Sequence, residues 1–92
     1  ALDADGVPHE IKSTVHRRAS GRPGRFRVFS DAHDKLAAAG GRYVFVVYRV
    51  RGRGVQPLKM TRLPASRLPG STWYGGSHPK GQERKISPAD VF

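Results

Sequence analysis

The chain has 92 residues, with 17 Lys and Arg against 7 Asp and Glu for a formal net charge of +10, and no cysteine. At this length it holds one thin core that buries about 60% of the unfolded surface, and without cysteine it forms no disulfide, thiolate zinc site or cysteine nucleophile. Its longest apolar run, Tyr43 to Tyr48, is far below the roughly 20 residues of a membrane helix, and no signal pattern opens it, so a soluble chain in a reducing compartment is expected.

In chain order, Leu2-Asp3-Ala4, Asp5-Gly6 and Val7 to Val15 read as a β-hairpin, because Asp-Gly is a favoured two-residue turn between strands. Along its second strand Glu10, Lys12, Thr14 and His16 share one face, and His9, Ile11, Ser13 and Val15 the other. Residues 17–24, Arg-Arg-Ala-Ser-Gly-Arg-Pro-Gly, have nothing to bury and much to bend, which predicts a mobile basic loop. Arg25 to Phe29 alternates as a short strand with Phe26 and Val28 on one side.

Ser30 as N-cap, Asp31 and Asp34 at the positive end of the dipole, and Gly40-Gly41 as a stop predict one helix over about 30–40, with Ala32, Leu36 and Ala39 as its apolar stripe. Tyr43 to Tyr48 is apolar on both faces, which predicts a central strand over about 42–50 covered on both sides. Gly52-Arg53-Gly54 is a turn, and Val55 to Met60 returns as an edge strand, the place where Pro57 is tolerated. Residues 61–92 form an irregular Pro-rich segment with one helical turn near Ala65 to Leu68. Trp73, Tyr74, Ile86, Val91 and Phe92 are expected to pin it to the body. The whole reads as one α/β domain, residues 1–92, around a mixed central sheet with a hairpin.

The hairpin carries the chemistry. Counted from the Asp5-Gly6 turn, Asp3 stands opposite Pro8 and diagonal to Glu10, with Lys12 the next residue out on that face. Diagonal neighbours lie about 7 to 8 Å apart, within reach of one or two shared metal ions. Two carboxylates, phosphate and water suit magnesium, and a lysine beside them can orient a water or stabilise developing charge. Asp5 is the substitute acid if the turn shifts. The plainer alternative is a solvated strand face with an ordinary ion pair. The surroundings favour a phosphate substrate: 12 of the 17 basic residues are arginine, whose planar fork matches phosphate, and a chain so charged repels itself unless a polyanion neutralises it.

Asp3, the tripeptide Glu10-Ile11-Lys12 and the following Ser13 resemble the PD-(D/E)XK nucleases, and the order hairpin, helix, apolar strand over residues 1–51 is similar to that family's core. The resemblance implies a restriction-endonuclease-like fold and a magnesium-dependent DNA endonuclease, manganese serving as a substitute. In it Asp3, Glu10 and Lys12 are catalytic, and Asp3, Glu10 and the Ile11 carbonyl hold the metal. His33 is the candidate for a polar helix residue facing the site. Only two residues precede Asp3, so the family's N-terminal helix is expected to have been removed by truncation, to be disordered, or to come from another chain. The partner expected is DNA, met by a homodimer that cuts both strands, in the cytoplasm at the nucleoid, with no membrane and no small-molecule cofactor.

His16, Arg17, Arg18, Arg22 and Arg25 are expected along the nucleic-acid backbone. Arg49, Arg51 and Arg53 read best as edge charges that block sheet-to-sheet aggregation, and Trp73 and Tyr74 as packing residues. His9, His16, His33 and His78 have no zinc-like spacing. Glu83-Arg84-Lys85 repeats the acid-x-lysine spacing, but its middle residue is charged and its setting does not read as a strand, so it is set aside. Neither a Gly-x-Ser-x-Gly elbow nor a phosphate loop is present. The alternative function is a non-catalytic basic DNA- or RNA-binding module.

Overall fold

The structure is a computed structural model that describes residues 2, 5–70, 72–76 and 79–92. Its elements in order are β1 (His9–Val15), β2 (Phe26–Phe29), α1 (Ser30–Ala38), β3 (Arg42–Arg51), β4 (Gly54–Pro64), β5 (Tyr74–Gly75) and β6 (Gln82–Ile86), with single 3-10 turns at Ala65–Arg67 and Pro88–Asp90. They form two three-stranded sheets, β1-β3-β4 and β2-β6-β5. β1 and β3 run parallel, which requires a crossover, and β2 with α1 supplies it. β3 and β4 are antiparallel, so the first sheet is mixed.

Strand alternation builds the core between the sheets. Tyr43, Phe45 and Val47 point inward from β3, and Phe26, Val28 and Ile86 meet them from the second sheet, all at most 2% exposed. The Phe26 and Phe45 rings lie 4.7 Å apart and tilted. Each such side chain contributes about 1.5–3 kcal/mol by leaving water. Leu36 and Ala37 of α1 close one flank.

The central strand, the helix near 30–40 and the edge position of the returning strand all match the expectations from sequence. Other features differ. The described bridge at the start joins Leu2 to Pro8, and the expected hairpin positions of Asp3 and Ala4 lie outside the described residues. A tight Asp-Gly hairpin turn needs positive φ at both central residues. Here Gly6 has φ 80 and Asp5 stays in the ordinary region. The Asp5 carboxylate accepts the Val7 N–H at 3.2 Å instead, which is an Asx turn.

Residues 17–24 are not a loose loop but a closed turn. Arg17 bridges Pro23, the Arg18 N–H donates to Arg22 O at 2.7 Å, and the Arg17 and Arg18 guanidinium groups donate to Gly21 O and Pro23 O. Phe29 rather than Ser30 occupies the helix N-cap, because the Ser30 hydroxyl accepts the Gln82 N–H at 2.9 Å and ties α1 to β6. The helix ends as expected: Gly40, with φ 67, donates to Ala37 O and Gly41 to Leu36 O, a Schellman motif. Its inward stripe is His33, Leu36 and Ala37, while Ala32 and Ala39 are exposed.

β3 is covered completely on its inner face and partly on its outer one, where Val44 is buried and Val46 half-buried. On the outer face Ile11 and Met60 are 61% and 65% exposed beside Val44 and Val46. The segment from 61 onward is more ordered than its prolines suggest, since β4 continues to Pro64 and β6 is the middle strand of the second sheet. Of its expected anchors Ile86 is buried and Trp73 and Val91 pack on the core, whereas Tyr74 and Phe92 are 45% and 42% exposed.

Gly24, between the basic turn and β2, packs against the end of β1, and a Cβ there would overlap the Val15 carbonyl oxygen and Thr14 Oγ1. Gly24→Ala is therefore expected to destabilise by about 1–3 kcal/mol through overpacking. A urea titration reads this as a lower midpoint, and an unchanged midpoint would contradict the close approach.

Candidate active site

Register places the site. Glu10 is the strand partner of Tyr43, Lys12 of Phe45 and Thr14 of Val47, so this face of β1 points into the space between the sheets. The Lys12 ammonium and Glu10 Oε1 are 2.9 Å apart, with side chains 20% and 35% exposed. Both groups keep some water while resting on the apolar core. Ile11, between them, faces the opposite way.

A polar cluster adjoins Glu10. His33 Nδ1 and the Tyr43 hydroxyl are 2.8 Å apart, and the two rings are nearly parallel at 5.9 Å. Burial, helped by the Arg84 guanidinium, pushes the His33 imidazole below its ordinary value near 6.5. Burial and the Glu10 charge raise the Tyr43 phenol well above its usual range. Both shifts keep the pair neutral at neutral pH. Arg84 reaches this cluster from β6 with its guanidinium 4.1 Å over the Trp73 ring and one N–H donated to Pro69 O at 3.2 Å. Its Nε is buried without a hydrogen-bond partner. Glu10 also opens on a depression of about 430 Å³ lined by Pro8, Ala32, Lys35 and Leu36.

Alongside the second half of β1 lies a cleft of about 410 Å³ bordered by Ser13, Thr14, Arg18, Arg25, Arg27 and Lys85. A second cleft of about 360 Å³ shares Arg18, Arg25 and Lys85 with it and adds Arg22 and one acid, Asp90. Together they make one basic trough beside the strand that carries Glu10 and Lys12. Arg27 is held there by a two-pronged bond to Glu83, at 2.8 and 3.3 Å.

Of the expected site residues, Glu10, Lys12 and His33 therefore share one neighbourhood, and Arg18, Arg22 and Arg25 line the trough. β1 stops at Val15, so His16 lies just beyond it, exposed, with its N–H donated to Tyr48 O. Arg17 is engaged in the turn. Asp5 is exposed and faces Arg42 at 3.4 Å. Asp3 and His78 lie outside the described residues. Among the described residues no three His, Asp or Glu side chains gather to hold a metal. Tyr43, Arg84, Arg27 and Lys85 were not anticipated. Tyr43 reads as core in an apolar run, and the others become visible only once the alternation of Arg84 and Ile86 against Glu83 and Lys85 is taken as a strand.

A sequence profile described as a PD-(D/E)XK nuclease superfamily domain matches residues 1–92. The chain belongs to the PD-(D/E)XK nuclease superfamily. Nuclease chemistry is thereby indicated for this PD-(D/E)XK domain, in a superfamily that typically uses divalent metals. No curated protein and no solved structure gives a significant match. The mixed α/β arrangement, mostly sheet with one helix, is consistent with such a domain.

The lowered His33 value has a pH consequence. The unfolded chain binds a proton at His33 more readily than the folded one, so stability is full above about pH 6.5 and falls as pH drops below it. In urea titrations between pH 7.5 and 5, His33→Gln should flatten this decline. An identical pH dependence in both proteins would contradict the assignment.

Proposed function

We propose that this chain is a DNA endonuclease dependent on a divalent metal, magnesium by preference with manganese as substitute, built on a restriction-endonuclease-like core. The observation that carries the reading is the Glu10–Lys12 pair at 2.9 Å, set on the core beside a neutral His33–Tyr43 pair and next to a basic trough. Glu10 suits the expected ion: it is a hard oxygen donor with access to water, the kind magnesium takes with phosphate and further waters. Asp3, Glu10 and the Ile11 carbonyl would hold it. When bound, such an ion neutralises charge on the scissile phosphate and lowers the pKa of a coordinated water.

The chain's own residues do the rest. Lys12 brings a positive charge to the reacting phosphate, and its contact with Glu10 fixes the ammonium on a long, otherwise mobile stem. Arg18, Arg22, Arg25 and Lys85 in the trough hold the backbone of the substrate without reading its bases. His33 and Tyr43, both neutral, wall the site on the helix side without adding charge that competes for the phosphate. One chain carries one Glu10–Lys12 pair, so cutting both strands of a duplex calls for a homodimer.

The test uses supercoiled plasmid with magnesium, with manganese and with chelator. Glu10→Gln and Lys12→Met are each expected to lower the cutting rate by about 100-fold or more, the scale of losing one charged transition-state contact. Chelator should abolish cutting. Plasmid left intact in both metals would instead favour a non-catalytic basic nucleic-acid-binding module, and plasmid cut equally by the variants would overturn the roles given to Glu10 and Lys12, leaving them an ordinary ion pair.

A further inference from the structure

Beyond the end of β1 the first sheet narrows to a two-stranded ribbon. The last residue of β1 to pair with β3 is Val15, opposite Tyr48. β3 and β4 continue past that point, pairing Arg49 with Gln56, Val50 with Val55 and Arg51 with Gly54. Every residue from 49 to 60 is exposed. At the ribbon's root the register slips: Val47 pairs with Lys59 but Tyr48 with Pro57. Leu58 is thus the extra residue of a bulge, which strengthens the local twist and accommodates a proline. The tip turns through Gly52, with φ 61, as a tight hairpin turn with glycine first requires.

The two faces of this ribbon differ. On one, Arg49 donates from Nε to Gln56 Oε1 at 2.8 Å, and Arg51 follows two residues on. On the other, Val50 and Val55 form a cross-strand apolar pair left 65% and 64% exposed. Residues 49–56 carry three arginines and no acid. Edge protection accounts for the arginines but not for the bare valine pair at the tip. The charge also weighs against a second copy of this strongly basic chain as the occupant. An anionic partner with apolar patches satisfies both faces. Duplex DNA is such a partner, since its major groove, about 12 Å wide, admits a two-stranded ribbon, offers base edges to Arg and Gln, and exposes thymine methyls to apolar side chains.

We propose that the β3–β4 ribbon, residues 49–56, is a DNA-groove contact separate from the cutting site; the inference rests on the reading of DNA as substrate. The placement supports it. Arg17 and Arg18 leave β1 at the same end, where the His16 N–H meets Tyr48 O, so the basic trough and the ribbon lie in sequence along the sheet. From Tyr43, the partner of Glu10, the tip is nine residues along β3, or about 30 Å at about 3.3 Å per residue. A duplex rising 3.4 Å per step covers that span in about nine base pairs. The ribbon therefore sets a contact almost one helical turn from the cut.

The experiment measures binding of a 30-base-pair duplex by fluorescence anisotropy between 50 and 200 mM salt, in a Glu10→Ala background that prevents cutting. The Arg49→Ala, Arg51→Ala, Arg53→Ala triple variant is compared with the native ribbon. Three lost phosphate or base contacts should lower the slope of log affinity against log salt by about 2 to 3 and weaken binding at least tenfold. Arg51→Ala with Arg53→Ala, which leaves the Arg49–Gln56 bond intact, should lower the slope by about 2. Circular dichroism should be unchanged, as the residues are exposed. If the native ribbon binds with a steep slope and both variants match it, the ribbon proposal alone is overturned. If the native ribbon does not bind at 50 mM salt and the protein with Glu10 intact leaves plasmid uncut, the DNA reading itself has failed and the ribbon proposal falls with it.

Discussion

The parallel pairing of β1 with β3 is the constraint on which the rest depends. β3 is the strand whose inner face, Tyr43, Phe45 and Val47, is packed against the second sheet. The pairing sets Glu10 beside Tyr43 and Lys12 beside Phe45, so two charged side chains are laid along the margin of the best-packed part of the molecule. A slip of one residue would turn both to the outer face and bring Ile11 inward. The apolar core resists that slip because it needs Thr14 and the β3 aromatics where they are. The charged pair is thus positioned by packing it does not itself supply.

A chain of +10 with so thin a core must also place its charge with care. The solution is segregation. Apolar side chains fill the space between the sheets, and most arginines occupy the turn at 17–24, the outer side of the second sheet and the ribbon beyond Tyr48. Arg84 instead turns inward, lodged over Trp73 against the His33–Tyr43 pair. Burial first, and then its charge, favour the neutral form of His33, and Glu10 lies within the same electrostatic neighbourhood. One inward arginine therefore couples the second sheet to the strand bearing the acid and lysine.

Local patterns in the sequence revealed those parts of the fold that local chemistry determines. The run Tyr43 to Tyr48 marks the central strand, Gly40-Gly41 the helix end, and the alternation from His9 to Val15 which residues share a face with Glu10. The parts that were not legible depend on distant partners. Ser30 looks like an N-cap until Gln82, far along the chain, takes its hydroxyl. The Asp5-Gly6 pair looks like a tight turn until the Asp5 carboxylate accepts the Val7 N–H two residues on. β6 is hidden among prolines and glycines because its strand character comes from pairing with β2, not from its own apolar content. The site divides in the same way: Glu10, Lys12 and His33 are visible from motif and parity, Tyr43 is hidden in an apolar run until His33 of α1 meets its hydroxyl, and Arg84, Arg27 and Lys85 need the second sheet.

The two acid-x-lysine tripeptides make the same point chemically. Spacing of two residues puts acid and lysine on one face of any strand, so Glu10-Ile11-Lys12 and Glu83-Arg84-Lys85 each form a same-face pair. What differs is which face the fold buries. On β1 the pair turns inward and its apolar middle residue outward. On β6 the order is reversed: Glu83 and Lys85 face out with Arg27, Glu83 binding Arg27 and lying 4.0 Å from Lys85, and the middle Arg84 turns in. The outward pair is a surface network worth little in stability, though it fixes Arg27 at the basic trough. The inward pair, half-buried at the margin of the core and next to the basic trough, is set by the same three-residue spacing in a different environment, held at 2.9 Å against the packed face of β3.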